Sequence, residues 1–316
     1  MQKKCLVLGG AGFIGKNLSM YLVSMGYDVT VYDLSVTNAF SEDELNKINY
    51  LERSFFEDND LDSIVSGQDI VFHLISSVGP ATSMVNPEKC YYNDVAKTVE
   101  LLESMRRNDV KRMMFISSGG TVYGNKPCEK YSEDMTLYPR NHYGITKATI
   151  EKILLMYNEI YNMDNIVLRL SNPYGIGQMS KKGIGAVTVF AEKIINDEEI
   201  CVWGDGTTVR DYIYIDDVVK MMEKFINHEC KSEFEVYNIG TGTGISLNEL
   251  IALLESCIGK KAKVVYEHNR EIDAERNVLD MKKTFETIGN IIEYPIDKGI
   301  NRYLQILNNK GDVNET

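Results

Sequence analysis

Five short runs, CLVLGG, DVTVYD, DIVFHLI, RMMFISS and NIVLRLS, alternate with helical apolar patterns through the first half of the chain. They are nearly continuous in Val, Ile, Leu, Phe and Met, as strands buried on both faces require, and strand–helix alternation predicts a parallel sheet. Right-handed crossovers put helices on both sides, so the expected fold is α/β with a doubly wound parallel sheet. The alternation holds to about Ser171. A Gly-rich, basic loop, NPYGIGQMSKKGIG, comes next. Mixed elements follow: a helix near Val187–Asn196, a short strand at EICVW, a helix after YIYIDD and another after GTGISLNEL. These features predict a first domain over residues 1–171 and a smaller mixed α/β substrate domain over 172–316, with some segments returning to the first. The terminal NNKGDVNET is polar and expected to fray.

A net charge of −12 disfavours nucleic acid or an anionic membrane as the main partner, and any anionic ligand would need a local Arg or Lys cluster. The six cysteines are dispersed, without metal-ligand spacing or a disulfide framework, so reduced thiols and no metal are expected. MQKKCLVLGG enters a strand at once, so no signal peptide is expected, and no apolar run approaches membrane-spanning length. A soluble, cytoplasmic chain is expected.

Chemistry concentrates in a few motifs. LVLGGAGFIG places Gly10-x-Gly12-x-x-Gly15, and equally Gly9-x-x-Gly12-x-x-Gly15, between a strand and an apolar helical pattern. Glycines there make the turn tight, let the backbone approach a pyrophosphate, and leave a helix N-terminus facing it. Asp33 ends the next strand at the spacing of a ribose-binding acid. A dinucleotide-binding (Rossmann) site follows. No Arg or Lys stands close behind Asp33 in DLSVTNAF to meet a 2′-phosphate, so NAD is expected over NADP. Tyr143-Gly-Ile-Thr-Lys147 puts a phenol and an ammonium on one helical face, where the positive charge is expected to lower the phenol pKa toward that of a general base. A second match, Tyr294-Pro-Ile-Asp-Lys298, is broken by Pro295. The pair Asp216 and Asp217 precedes a helical pattern and reads as N-capping rather than acid/base chemistry. Arg210, Arg270 and Arg276 in the second domain would suit a diphosphate. His73 and His142 receive no role.

Taken together, GGAGFIG, DIVFHL, FISSGGTVYG, YGITK, RLSNPYG, GDGTTVRDYIYIDD and YNIGTGTGISLNEL resemble the extended short-chain dehydrogenase/reductase family, in particular nucleotide-sugar epimerases of the UDP-glucose 4-epimerase type. The resemblance runs over nearly the whole chain. It implies that Gly9, Gly12 and Gly15, with Phe13 and Ile14, hold the NAD pyrophosphate, that Asp33 holds the adenosine ribose, and that Leu34, Leu74 and Ser117 also line the cofactor. Tyr143 would be the base, and Lys147 would bind the nicotinamide ribose. Asn172, Arg210 and Arg270 would meet a nucleotide-sugar diphosphate, with Trp203 on the base. A homodimer through helices near 91–107 and 144–160 is implied on the same ground.

Some positions depart from the pattern. Gly119 falls where relatives carry the Ser or Thr that bonds the sugar 4-hydroxyl; Thr121, two residues on and expected on the same side of an extended segment, is the substitute, with Ser118 the runner-up. Ser54 stands where an acid meets the adenine, Asp94 where an Asn approaches the cofactor, and Asn277 where a bulky Tyr excludes N-acetyl sugars, which leaves acetamido sugars open.

The implied activity is an NAD-dependent nucleotide-sugar 4-epimerase (UDP-glucose/galactose or UDP-N-acetylhexosamine type) working by transient C4 oxidation to a 4-keto sugar and re-reduction. The alternative is an NAD(P)H-dependent reductase of nucleotide 4-keto-6-deoxysugars. A catalytically silent NAD-binding module is a third reading, against which the intact Tyr143 and Lys147 count.

Overall fold

The computed structural model describes residues 2–179, 185–231, 235–268 and 274–311, with side chains to 307. The chain divides into two compact units. The first comprises Met1–Gly124, Thr136–Arg169 and Met222–Tyr237; the second comprises Asn125–Met135, Leu170–Met221 and Asn238–Thr316. The chain re-enters the first unit at Met222 and contributes Asn125–Met135 to the second.

Strands are numbered along the chain. The first unit is built on a seven-stranded sheet of β1 (Lys4–Leu8), β2 (Asp28–Asp33), β3 (Asn49–Glu52), β4 (Ile70–His73), β5 (Arg112–Ser118), β6 (Ile166–Leu170) and β10 (Val236–Ile239). Their order is β10-β6-β5-β4-β1-β2-β3. The pairings of β1 with β2 and β4, β2 with β3, and β4 with β5 are parallel. The chain winds outward from β1 to β3 and then returns to the other side of β1 as β4. The sheet direction therefore switches between β1 and β4, and ligands of such sheets bind beyond the carboxyl ends of the strands there. Every residue of β4 and β6 is buried, as are four of the five in β1, which is what their continuous apolar sequences require. Leu6, Leu8, Phe115, Leu101, Ile150 and Leu154 join the sheet to the helices Lys97–Arg107 and His142–Tyr161 in one core cluster. Ahead of Lys97–Arg107, residues Cys90–Ala96 form a π-helical stretch that sequence periodicity did not distinguish from α-helix.

The second unit carries β7 (Asn172–Tyr174), β9 (Val209–Tyr214), β11 (Gly244–Ser246) and β13 (Arg276–Asn277), with β9 pairing each of the others. A separate parallel pair joins β8 (Glu199–Trp203) to β12 (Lys263–Glu267). Asp211 of β9 is fully buried and accepts hydrogen bonds from Thr241 N (2.9 Å), Thr241 Oγ1 (2.7 Å) and Gly242 N (3.0 Å), tying that unit's turns to its central strand. Asp216 and Asp217 lie inside the first turn of helix Ile215–Lys224 rather than ahead of it. Asp217 is buried and accepts from Glu293 N (3.1 Å) and Tyr294 N (3.0 Å), so it holds the segment before the last helix. That helix, Ile296–Gly311, starts after Pro295, which leaves Tyr294 off the face of Lys298. Among the described residues, no helix is long and apolar enough to cross a membrane.

Candidate active site

The glycine turn follows β1 directly. Gly9 adopts φ +80, a left-handed conformation that side chains strain, and its N–H donates to the Tyr32 carbonyl (2.9 Å). A Cβ on Gly15 would lie 2.2 Å from Gly9 O and 2.6 Å from Gly10 Cα, so only glycine lets the helix Phe13–Ser24 begin this close to the strand. That helix has Gly12 at its N-cap, no side-chain cap and no acidic residue in its first turn. Its positive end is therefore uncancelled and suits an anion such as a pyrophosphate. Asp33 accepts from Ala11 N (3.0 Å) and Leu34 N (2.7 Å), which fixes its carboxylate at the edge of the turn, while Leu34 itself is exposed. Leu74 and Ile75 press against Gly9 from the end of β4; of the two, the sequence pointed only to Leu74. The residues present thus fit a dinucleotide.

Asn141 caps the helix His142–Tyr161, its side chain accepting from Gly144 N (2.7 Å). Tyr143 therefore stands in the first turn and Lys147 in the second, one above the other. The close approach of this helix to the turn after β5 explains Gly144, where a Cβ would sit 3.0 Å from the Thr121 carbonyl and 2.9 Å from Pro139. Lys147 is buried. Its ammonium donates to Ile116 O (2.9 Å) and lies 5.5 Å from the Tyr143 ring centroid and 4.5 Å from that of Phe115.

The expected lowering of the Tyr143 pKa is not what the protein alone produces. Burial pushes the phenol up to about 12, the nearby Asp94 carboxylate adds to this, and a hydrogen bond with Ser118 works the other way. Desolvation and a like charge outweigh the ammonium. Burial likewise brings Lys147 down to about 8, against the pull of Asp94 and Glu151.

The turn after β5 corrects a second expectation. Ser118 O accepts from both Thr121 N (3.2 Å) and Val122 N (3.1 Å), so residues 119–121 fold back rather than extend, and the same-side argument for Thr121 fails. Ser118, at the last position of β5, is the hydroxyl that bonds Tyr143. Thr121 Oγ1 is buried without a hydrogen-bond partner among the described residues. Ser117 turns the other way and gives its hydroxyl to Glu151.

Glu151, one turn beyond Lys147, belongs to a buried network that sequence reading missed. Arg169 of β6 reaches it through Nη2 (2.8 Å) and Nε (3.2 Å) and donates through Nη1 to Tyr123 (3.0 Å). His73 is buried against Thr98 (3.0 Å), and His142 pairs with Tyr91 (2.8 Å).

In the second unit, Asn172, Tyr174, Phe190, Trp203, Arg210 and Leu247 line a cavity of ≈ 400 Å³. The structure thus brings together three of the four residues expected there from the second domain; Arg270 lies outside the described residues. Asn172 Nδ2 donates to Asp211 O (2.9 Å), and Arg210 Nη1 to Val209 O (2.9 Å) and Ala274 O (2.7 Å). Trp203 is 41% exposed beside the cavity, as a stacking ring would be. Arg276 instead donates to Glu129 O (3.0 Å), and Asn277 is buried in β13.

Comparison with known proteins agrees with this geometry. Residues 5–240 match the NAD dependent epimerase/dehydratase family. A dTDP-4-dehydro-6-deoxyglucose reductase of Escherichia coli is 33% identical, over 95% of this chain and 96% of its own. The crystal structure of a UDP-glucose 4-epimerase from Thermotoga maritima with UDP-glucose superposes with a TM-score of 0.90 at 30% identity, over 97% of this chain and 99% of that one. A UDP-glucose 4-epimerase of Thermus thermophilus in complex with NAD gives 0.86 at 26%, over 96% and 98%. The chain belongs to the NAD dependent epimerase/dehydratase family.

Proposed function

We propose that this protein is an NAD-dependent nucleotide-sugar 4-epimerase. The observation that carries the reading is the junction of β5 with the helix His142–Tyr161: Tyr143, bonded to Ser118 and stacked above Lys147, stands at the carboxyl edge of the sheet that holds the glycine cradle. Bound NAD supplies a reversible two-electron acceptor, so that C4 of the sugar passes from alcohol to ketone and back. Tyr143 takes the proton of the 4-hydroxyl at Oη and returns it to the oxygen of the 4-keto sugar after the sugar has turned its other face. Ser118 orients the phenol, and Thr121, with its unpaired hydroxyl, is the reserve partner for the 4-oxygen. Lys147 holds the cofactor ribose and keeps a positive charge beside the phenolate. Gly9, Gly12, Gly15, Phe13 and Ile14 take the pyrophosphate, and Asp33 the adenosine ribose. Asn172, Arg210 and Arg270 take the substrate diphosphate, while Trp203 takes the base.

The 33% identity to a 4-keto-6-deoxysugar reductase supports a second reading, net reduction of a nucleotide 4-keto sugar by NAD(P)H. The two separate in one experiment. Pure protein given UDP-glucose or UDP-GlcNAc and no added cofactor interconverts the C4 epimers if the first reading is right. Turnover confined to a 4-keto sugar with NAD(P)H establishes the second, and bound NAD without turnover of any sugar refutes both. Tyr143→Phe is expected to abolish epimerisation while NAD stays bound; retained activity removes Tyr143 from its role.

A homodimer through the helices near 91–107 and 144–160 accompanies this reading. Their exposed Tyr92, Ile145, Met156 and Ile160 give it an apolar contact, and light scattering tests it.

A further inference from the structure

We propose that Asp94 is a positioning residue for the Tyr143–Lys147 pair, acting through its buried negative charge to set where the mobile proton of the pair resides. The inference rests on the reading of Tyr143 as the base. It starts from the π-helical stretch Cys90–Ala96, a widened turn of a kind that recurs at functional sites and that packs here against the helix bearing Tyr143.

Asp94 is only 5% exposed. Its Oδ2 accepts from Ser76 Oγ (2.7 Å) and its Oδ1 from Ser77 N (2.8 Å), both just past β4 at the carboxyl end of the sheet. Its carbonyl accepts from Thr98 Oγ1 (2.6 Å), whose oxygen also meets His73. Both carboxylate oxygens are thus held, and the backbone carbonyl with them, so the group is fixed away from water.

The charges around the pair make Asp94 the one that matters. Lys147 and Glu151 share the helix of Tyr143, His73 faces it from β4, and Arg169 comes from β6. Arg169 answers Glu151 bidentately, so that anion is balanced. His73 is kept neutral, burial and the Lys147 ammonium holding it down to about 3. The donors that clamp Asp94 are a hydroxyl and a peptide N–H, both neutral. Its charge therefore acts on the pair, opposing the phenolate and favouring the ammonium. An asparagine could make comparable hydrogen bonds without this field. The carboxylate holds the proton on the phenol until a positive charge arrives beside it.

The test needs no substrate. In protein labelled with [ζ-13C]tyrosine, the Tyr143 signal is assigned by its loss in Tyr143→Phe and then titrated. In Asp94→Asn its midpoint should fall by about one pH unit, the shift expected from removing a like charge at short range. Asp94→Ser, which removes the same charge with a different shape, should move it the same way. Asp94→Glu should leave it in place. A midpoint unmoved by both neutral variants, or moved equally by Glu, overturns the proposal. The acid limb of the kcat/KM profile should follow the titration; a fall in kcat with the limb unmoved assigns Asp94 to packing alone and also overturns it. A shifted titration without epimerase turnover would instead count against the proposed reaction, so the two failures are distinct.

Discussion

Arg169→Met tests whether the Glu151 network holds up the helix that bears Tyr143. The side chains of Arg169 and Glu151 are 3% and 1% exposed, and their contacts are bidentate, at 2.8 and 3.2 Å. Methionine fills much of the volume but leaves Glu151 with a hydroxyl, Ser117, as its named partner. Removing one partner of a buried pair costs about 3–5 kcal/mol, because the remaining charge is stranded in a medium that solvates it poorly. For a domain of this size each kcal/mol moves the melting point by roughly 2–4 °C, so a loss on the order of 10 °C is expected. The assay is urea unfolding at neutral pH followed by circular dichroism. The double variant Glu151→Leu/Arg169→Met, which removes both charges, should recover most of the loss. A single-variant cost below about 1 kcal/mol, or a double variant no more stable than the single, would refute the argument that the pair's charges are what the interior pays for.

Gly15→Ala should destabilise the first unit and empty the dinucleotide cradle, because its methyl would sit 2.2 Å from Gly9 O with only backbone to yield; normal NAD retention measured after gel filtration would contradict this. His73 sets an acid limit on stability. Its folded pKa is depressed to about 3 by burial and then by Lys147, whereas the unfolded chain takes up the proton near 6.5, so its contribution is complete above that and lost as pH falls toward 3. The expected slope is about 1.4 kcal/mol per pH unit in that window. His73→Asn should flatten it in unfolding titrations, and an unchanged slope would mean that the ring is not the group responsible.

The first half of the fold was legible because each buried strand is a self-contained apolar run, and burial on both faces leaves a plain mark in composition. β10 was not, since Val236–Ile239 is four residues long and is defined as a strand by pairing with β6, far away in sequence. The cavity residues Asn172, Trp203 and Arg210 came from resemblance, and the structure does place them around one space. The Glu151–Arg169–Tyr123 network was invisible for a different reason. Each member looks like an ordinary solvated or packing residue until β6, the Tyr143 helix and the turn after β5 are assembled around it.

The same distinction explains the error about Tyr143. Spacing of i and i+4 says that Tyr143 and Lys147 share a face, which is a statement about backbone geometry and is right. The proton affinity of the phenol is a sum over everything near its oxygen, and the larger contributions are remote in sequence or belong to no residue in particular. Burial depends on the whole of the surrounding packing. Asp94 arrives from the π-helical stretch, held by residues 17 and 18 positions before it. Ser118 comes from β5, its bond to Tyr143 standing where the extended-segment argument had favoured Thr121. That bond lowers the phenol pKa, yet even with a nearby ammonium at 5.5 Å from the ring, itself desolvated and committed to the Ile116 carbonyl, burial and Asp94 prevail. Motif spacing therefore assigns the participants in such a site, while the sign of their coupling requires the neighbours that the fold brings in.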